Sequence, residues 1–480
     1  MWSEEFWRWG QPLVFGYILT WLLIPGLLMN RRKPAASVVA WSLSIMLMPL
    51  IGSLLFLLLG LNRVERRRIS RRDSNRRLGQ KIPEWSQYEL LPGEETTELS
   101  RGMASLADRL TDARPTQGNV VEVYCETSRT MEEIERAVEG ARHSIHLEYY
   151  IFQPDETGRR LRDMLIARAK AGVQVRFLYD SLGSMRLHRE FLRPMREAGI
   201  QVATFLPGQS LRERWSLNLR SHRKIIVVDG LIGFTGGMNI GDEYLGRDPV
   251  LGYWRDTHLR LTGPAVLQLQ QVFVEDWYYA TNEALTSIPV FSEPEHLGDE
   301  VAQVIAGGPD QEMEPFHSIF FSAINSAEHQ VLLTTSYFVP TTALEMALEN
   351  AALRGVRVRV LIPQRSAHPL MIVAGRWFYD SLLAAGVEIY EYHKGLLHSK
   401  TITVDGKWSM VGSPNFDARS VTLNFEIGVA LFGPRMAHLL EEHFQNDLAE
   451  ATRIDPVEWS KRSWWLKLAE GICRLFAPQL

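Results

Sequence analysis

Two stretches of this chain carry the same chemistry-bearing residues at the same spacing. Residues 221–239 read SHRKIIVVDGLIGFTGGMN and residues 398–415 read HSKTITVDGKWSMVGSPN. In each, a His is followed by Lys at +2, Asp at +7, Gly at +14 and Asn at +17, which pairs His222, Lys224, Asp229, Gly236 and Asn239 with His398, Lys400, Asp405, Gly412 and Asn415. If Lys and Asp each fill roughly 6% of positions, the chain's 13 histidines give about 0.05 chance matches to the first three positions. The repeat therefore points to duplication.

The residue types suit a phosphodiester. Lys224 and Lys400 neutralise the non-bridging oxygens, and Asn239 and Asn415 add neutral donors. One histidine attacks phosphorus while the other supplies the leaving alkoxide with a proton, so the pair must separate its protonation states. This chemistry requires no metal and no cofactor. His222, Lys224, Asp229, His398, Lys400 and Asp405 form the candidate catalytic set. Within it, Asp229 and Asp405 are out of phase with His and Lys on a strand and are expected to hold the Asp-Gly turns. Asp256, in WRDTHLRLTGP, and Glu426, in NFEIGVALFGP, each lie seven residues before a Gly-Pro pair and are the candidates for orienting the histidines.

The surrounding pattern alternates strand and helix. Strands are expected at residues 144–152, 173–179, 330–339 and 356–362, with helices at 158–171 and 343–354, and the two His-Lys stretches read as strands 221–228 and 397–404. The result is an α/β fold of two pseudo-symmetric halves packed as one unit. Upstream, residues 12–29 and 35–61 are apolar runs without a charged residue, each long enough to cross a hydrocarbon core of about 30 Å. They predict a transmembrane or re-entrant helical hairpin, the latter because Pro25-Gly26, Pro49 and Gly52 interrupt the runs. Eight arginines between Arg63 and Arg77 place the following domain in the cytoplasm and offer a patch for anionic headgroups. The expected organisation is a membrane hairpin (1–62), a basic tail and linker (63–119) with a short helix near 99–110, a first half (120–290), a second half (291–450) and an amphipathic C-terminal segment (451–480). In that last segment Trp464, Trp465, Leu468, Ile472, Leu475 and Phe476 recur at helical spacing beside basic residues, which fits either a helix at a membrane interface or a C-terminal helix docked on the protein core.

Net charge of −4 and a pI near 6.4 argue against a nucleic-acid partner. Cys125 and Cys473 are too isolated for a zinc site or a disulfide framework. Nothing in the chain signals an oligomeric state.

The two motifs match the HxKxxxxD signature of the phospholipase D superfamily. The layout resembles more narrowly the bacterial cardiolipin synthases of that superfamily, as do Tyr337-Phe338-Val339-Pro340, residues 395–400 (GLLHSK) and residues 424–427 (NFEI). Gly237 departs from the pattern, which usually has Ser after the motif Gly; Ser413 keeps it. The resemblance implies two phospholipase D-type halves and a phosphatidyl transfer between two phosphatidylglycerol molecules, giving cardiolipin and glycerol. His222 is implied as the nucleophile and His398 as the acid and base. It further implies membrane phospholipids as partners and a multi-pass place in the bacterial inner membrane with a cytoplasmic catalytic domain. Hydrolysis by the same residues is the competing reading; a nuclease and a membrane scaffold with a silent site fit the sequence less well.

Overall fold

The computed structural model describes residues 2–29, 35–57, 86–90, 97–205, 220–285, 290–294, 297–311 and 313–476. Two compact units are present, one N-terminal (residues 1–67) and one comprising most of the remainder. The arginine cluster at 63–77 lies outside the described residues.

In the N-terminal unit a helix runs Trp2–Leu28, straight through Pro25, and the second apolar run is split into Ala35–Leu47 and Pro49–Leu55. The break falls at Met48, whose φ of −131° and ψ of 71° leave the helical region just before the proline. A residue preceding proline is disfavoured in the α region, so Pro49 starts a new helix instead of continuing the old one. The expected continuous segment 35–61 is thus corrected to two shorter helices, with 58–61 outside the described residues. Among the described residues no helix is long and apolar enough to cross a membrane, so two full crossings find no support there. Leu27, Ile45 and Phe56 form a small core, and Gly52 is required by a close approach: a Cβ there would lie 2.1 Å from the Ser44 carbonyl oxygen.

In the larger unit one sheet runs through both halves. From the centre outward the first half orders Thr116–Glu126, Trp254–Thr262, Ile232–Gly236, Lys224–Val228, Ser144–Tyr149, Gln174–Asp180 and Gln201–Phe205. The second half orders Glu300–Gly307, Glu426–Phe432, Trp408–Gly412, Thr401–Val404, Gln330–Thr334, Arg357–Pro363 and Glu388–Tyr392, so the two sequences of strands correspond one for one. The halves join where Thr116 and Asn119 pair antiparallel with Ala302 and Glu300. Ala451–Arg453, assigned from sequence to the C-terminal segment, adds an edge strand against Glu388–Tyr392. A shared core of Leu259, Leu261, Phe273 and Trp277 with Ile427, Val429 and Leu431 fills the space between the halves, while each half also keeps a core of its own.

The expected helices appear at Glu98–Thr111, Glu156–Lys170 and Thr342–Leu353. Thr97, Asp155 and Thr341 cap them by accepting from Ser100, Gly158 and Leu344 N–H groups. The C-terminal helix Trp464–Phe476 docks through Gly471, where a Cβ would meet the Trp377 ring at 2.9 Å, and leaves Trp464, Trp465, Leu466 and Leu475 exposed.

Both Asp-Gly turns adopt the same geometry. Asp229 and Gly230 have φ of 54° and 67°, Asp405 and Gly406 have 53° and 62°, and Leu231 and Lys407 N–H groups close the turns on the Val228 and Val404 carbonyls. These are type I′ hairpins. The Asp229 carboxylate accepts from Arg142, His143 and Ser144 N–H groups at 2.7–2.8 Å, and Asp405 from Glu328, His329 and Gln330 N–H groups at 2.8 Å. Each aspartate therefore ties its hairpin to the start of the neighbouring strand. Asp229→Ala and Asp405→Ala are each expected to cost about 1–3 kcal/mol, read as a lowered thermal midpoint by differential scanning fluorimetry; an unchanged midpoint would contradict this role.

Candidate functional site

The regular ladders begin at Lys224 and Thr401, later than the sequence suggests. The reason is that the residues just upstream are engaged by the opposite half. The His222 N–H donates to the Phe425 carbonyl at 2.8 Å and the His398 N–H to the Arg255 carbonyl at 2.7 Å. Ser221 bridges Phe425, and Leu396–Leu397 pairs in parallel with Trp254 and Arg255. Each histidine is thus pinned beside the residue that follows its backbone partner, which is Glu426 for His222 and Asp256 for His398.

The side chains complete the exchange. His222 Nδ1 lies 2.9 Å from Glu426 Oε2, and His398 Nδ1 lies 2.7 Å from Asp256 Oδ2. An ionised carboxylate only accepts, so each Nδ1 carries the proton and each Nε2 keeps its lone pair. The two carboxylates that correspond between halves are therefore both brought to a histidine, each to the one from the other half.

The group is buried: Lys224 and Glu426 are 0% exposed and both histidines 8%. Lys224 Nζ donates to the His222 carbonyl at 2.6 Å, and Lys400 Nζ to Ser336 Oγ at 2.7 Å and to the His398 carbonyl. Asn239 Oδ1 accepts from Ile151 N–H at 3.3 Å, whereas the side-chain oxygen of Asn415 is buried with no protein partner. Asp229 and Asp405 stand apart at the far ends of the hairpins.

Burial dominates the electrostatics. It pushes both imidazoles down, His398 to about 3, with Lys224 and Lys400 adding to the effect and the carboxylates opposing it. It likewise lowers Lys224 to about 7 and Lys400 to about 8. For Glu426 burial acts upward but is outweighed by His222, Lys224 and Ser413, which bring it down to about 2; Asp256 is lowered in the same way by His398 and Lys400. The unliganded site thus holds two carboxylates, two neutral imidazoles and two lysines close to losing their protons.

Sequence reasoning missed the flanking aromatic rings. Tyr150 lies 5.0 Å from the His222 ring and 5.4 Å from Lys224 Nζ, and Trp254 lies 5.2 Å from the His398 ring. The repeat gave no signal for Tyr150, because Ser336, which accepts from Lys400 Nζ, stands at the matching place in the second half.

The Gly237 departure also has a physical reason. A Cβ at 237 would sit 2.0 Å from Asp256 Oδ1. In the second half the longer Glu426 leaves room for Ser413, whose hydroxyl donates to Glu426 Oε2; in the first half Thr257 N–H supplies the equivalent bond to Asp256 at 2.8 Å. The pairs Gly-Asp and Ser-Glu are two solutions to one packing problem.

The family profile described as "Cardiolipin synthase, PLD-like domain" matches residues 134–277 and 320–448. A cardiolipin synthase of Geobacillus sp. (strain WCH70) is 39% identical over 94% of this chain and 90% of its own length. The chain belongs to this family. A cardiolipin synthase of Halalkalibacterium halodurans is 35% identical over 100% of this chain and 96% of its own length. The crystal structure of phosphatidylserine synthase from Haemophilus influenzae Rd KW20 superposes with a TM-score of 0.61 over 79% of this chain and 97% of that chain, at 14% identity, a likeness of fold.

Gly237→Ser is expected to displace Asp256 from His398 and lower kcat by about tenfold or more; retention of full kcat would show that the neighbours yield without cost. The free-enzyme profile, kcat/KM against pH, is expected to rise as the imidazoles lose protons below their usual range and to fall again between about 7 and 8 as Lys224 and then Lys400 deprotonate. A profile flat to pH 9 would mean that the lysines stay charged.

Proposed function

We propose that the chain joins two phosphatidylglycerol molecules into cardiolipin, releasing glycerol, by way of a phosphatidyl-histidine. The observation that carries this reading is the crossed pair of oriented imidazoles, each with its ammonium, in one buried site. A phosphodiester brings the negative charge that the site lacks. Its arrival restores the lysine protons and raises the imidazole opposite the nucleophile, so that substrate binding draws a proton into the cleft.

In the first step His222 Nε2 forms a bond to phosphorus, the bond from phosphorus to the glycerol oxygen breaks, and His398 Nε2 gives that oxygen a proton. In the second step His398 takes the proton of an incoming headgroup hydroxyl, the new oxygen–phosphorus bond forms and the nitrogen–phosphorus bond breaks. Asp256 stabilises the imidazolium of His398, Glu426 holds the ring of His222, and Lys224, Lys400, Asn239 and Asn415 meet the equatorial oxygens where charge accumulates.

Lipid substrates imply contact with a membrane. The exposed Trp464, Trp465, Leu466 and Leu475, beside Lys461 and Lys467, support a reading in which the C-terminal helix lies in the bilayer interface. The apolar N-terminal helices support a re-entrant or spanning hairpin, with the catalytic unit at the cytoplasmic face of the inner membrane. Membrane phospholipids are the partners of this reading.

Purified full-length protein given phosphatidylglycerol in mixed micelles is expected to yield cardiolipin and glycerol in equal amounts. His222→Ala and His398→Ala are each expected to lower the rate by about a thousandfold or more, with the trapped lipid adduct mapping to His222. Phosphatidic acid as the main product would make the enzyme a hydrolase, and an adduct on His398 would reverse the two histidine roles.

A further inference from the structure

The two places where the halves cross are alike in backbone and unlike in side chains. At the first, His222 and Arg223 run beside Phe425 and Glu426; at the second, His398 and Ser399 run beside Arg255 and Asp256. In the repeat Arg223 matches Ser399, and Arg255 matches Phe425. Each crossing therefore has one arginine, but on opposite strands: after the histidine in the first, before the carboxylate in the second.

Both arginines reach the same kind of atom. Arg223 Nε donates to the Glu426 carbonyl at 3.2 Å, and Arg255 Nη1 donates to the Asp256 carbonyl. Each is also anchored by an aspartate on a helix that starts at a Gly-Pro pair. Arg223 Nη1 donates to Asp276 Oδ2, on the helix Ala265–Thr281, and Arg255 makes a two-point contact with Asp447, on Pro434–Leu448, at 2.8 and 2.7 Å. The remaining donors are used as well. Arg223 Nη2 reaches the Gly307 carbonyl at 3.2 Å, and Arg255 Nη1 reaches Thr257 Oγ1 at 3.1 Å, itself 2.6 Å from Ser399 Oγ. Each guanidinium thus bonds to both halves, and all four charged groups are buried.

Duplication accounts for the matching histidines and carboxylates, but it does not account for this bond, because the two arginines occupy positions that do not correspond. The carbonyl of the orienting carboxylate is held twice, by different residues on different strands. A buried Arg–Asp pair adds little stability over apolar packing of the same shape. What it adds is a rigid fork of donors at a fixed place. The carbonyl so held belongs to the residue whose side chain sets the imidazole, and a displacement of about 1 Å there is enough to spoil the alignment of a reacting group.

The geometry points to Arg223 and Arg255 as positioning residues, which fix Glu426 and Asp256 through their carbonyls and so hold His222 and His398 in line. This rests on the two-histidine transfer reading above. The test is a crossed set of double variants of the full-length protein in mixed micelles, read as kcat and KM for phosphatidylglycerol consumption. Lysine keeps the charge, but a single ammonium cannot span both the aspartate and the carbonyl. Arg223→Lys and Arg255→Lys are each expected to lower kcat by about tenfold while KM stays within about twofold. In an Asp256→Asn background Arg255→Lys is expected to cost less than about twofold more, yet to keep its full loss in a Glu426→Gln background; Arg223→Lys is expected to show the reverse. Equal losses in both backgrounds, or a loss explained by a smaller folded fraction, overturn the positioning role. Arg255→Met with Asp447→Leu removes the second pair without leaving an unpaired charge; it is expected to fold and to show the same selective loss, and full kcat in this variant also overturns the role. Wild type that consumes no phosphatidylglycerol removes the transfer reading itself, and these roles with it, before any variant is compared.

Discussion

The structure depends on a reciprocal exchange: the carboxylate that orients each histidine comes from the other half of the chain. The exchange is fixed twice, by the backbone bonds from His222 to Phe425 and from His398 to Arg255, and by the side-chain contacts one residue further on. Neither half alone contains an oriented imidazole. The continuous sheet and the shared core between Trp254–Thr262 and Glu426–Phe432 follow from the same demand, because an offset of about 1 Å between the halves would break both carboxylate contacts at once.

Burial of this many charged groups is costly, and the site lowers the cost by shedding protons. The lysines fall toward neutrality and the imidazoles are lowered, while Glu426 and Asp256 are held ionised by the facing histidine and lysine and, after these, by the hydrogen bonds they accept. What remains is a buried group of residues with much of its positive charge suppressed by burial.

Much of this was legible in the sequence, and what was legible shares a cause. The His, Lys, Gly and Asn positions repeat because duplication wrote them twice, and Asp256 and Glu426 could be matched by their distance from Gly-Pro. The alternation of strand and helix gave the α/β class for the same local reasons. Less visible was everything that depends on how the halves meet. Spacing along the chain does not say that Glu426 serves His222, nor that the residues before Lys224 leave their own ladder to pair across the interface. The interruption at Pro49 was legible, but which of the interrupting residues would break a helix was not: the chain leaves the helical region at Met48 before Pro49 and stays helical through Pro25.

The two copies depart from symmetry to different degrees in different places. Where backbone geometry is the constraint, the copies stay identical, as in the two Asp-Gly hairpins with nearly equal φ values. Where side-chain volume is the constraint, they vary in compensated pairs, with Gly237 and Asp256 occupying the space that Ser413 and Glu426 fill on the other side. Elsewhere the copies diverge outright, as where Arg419 stands at the position that Glu243 takes in the first half.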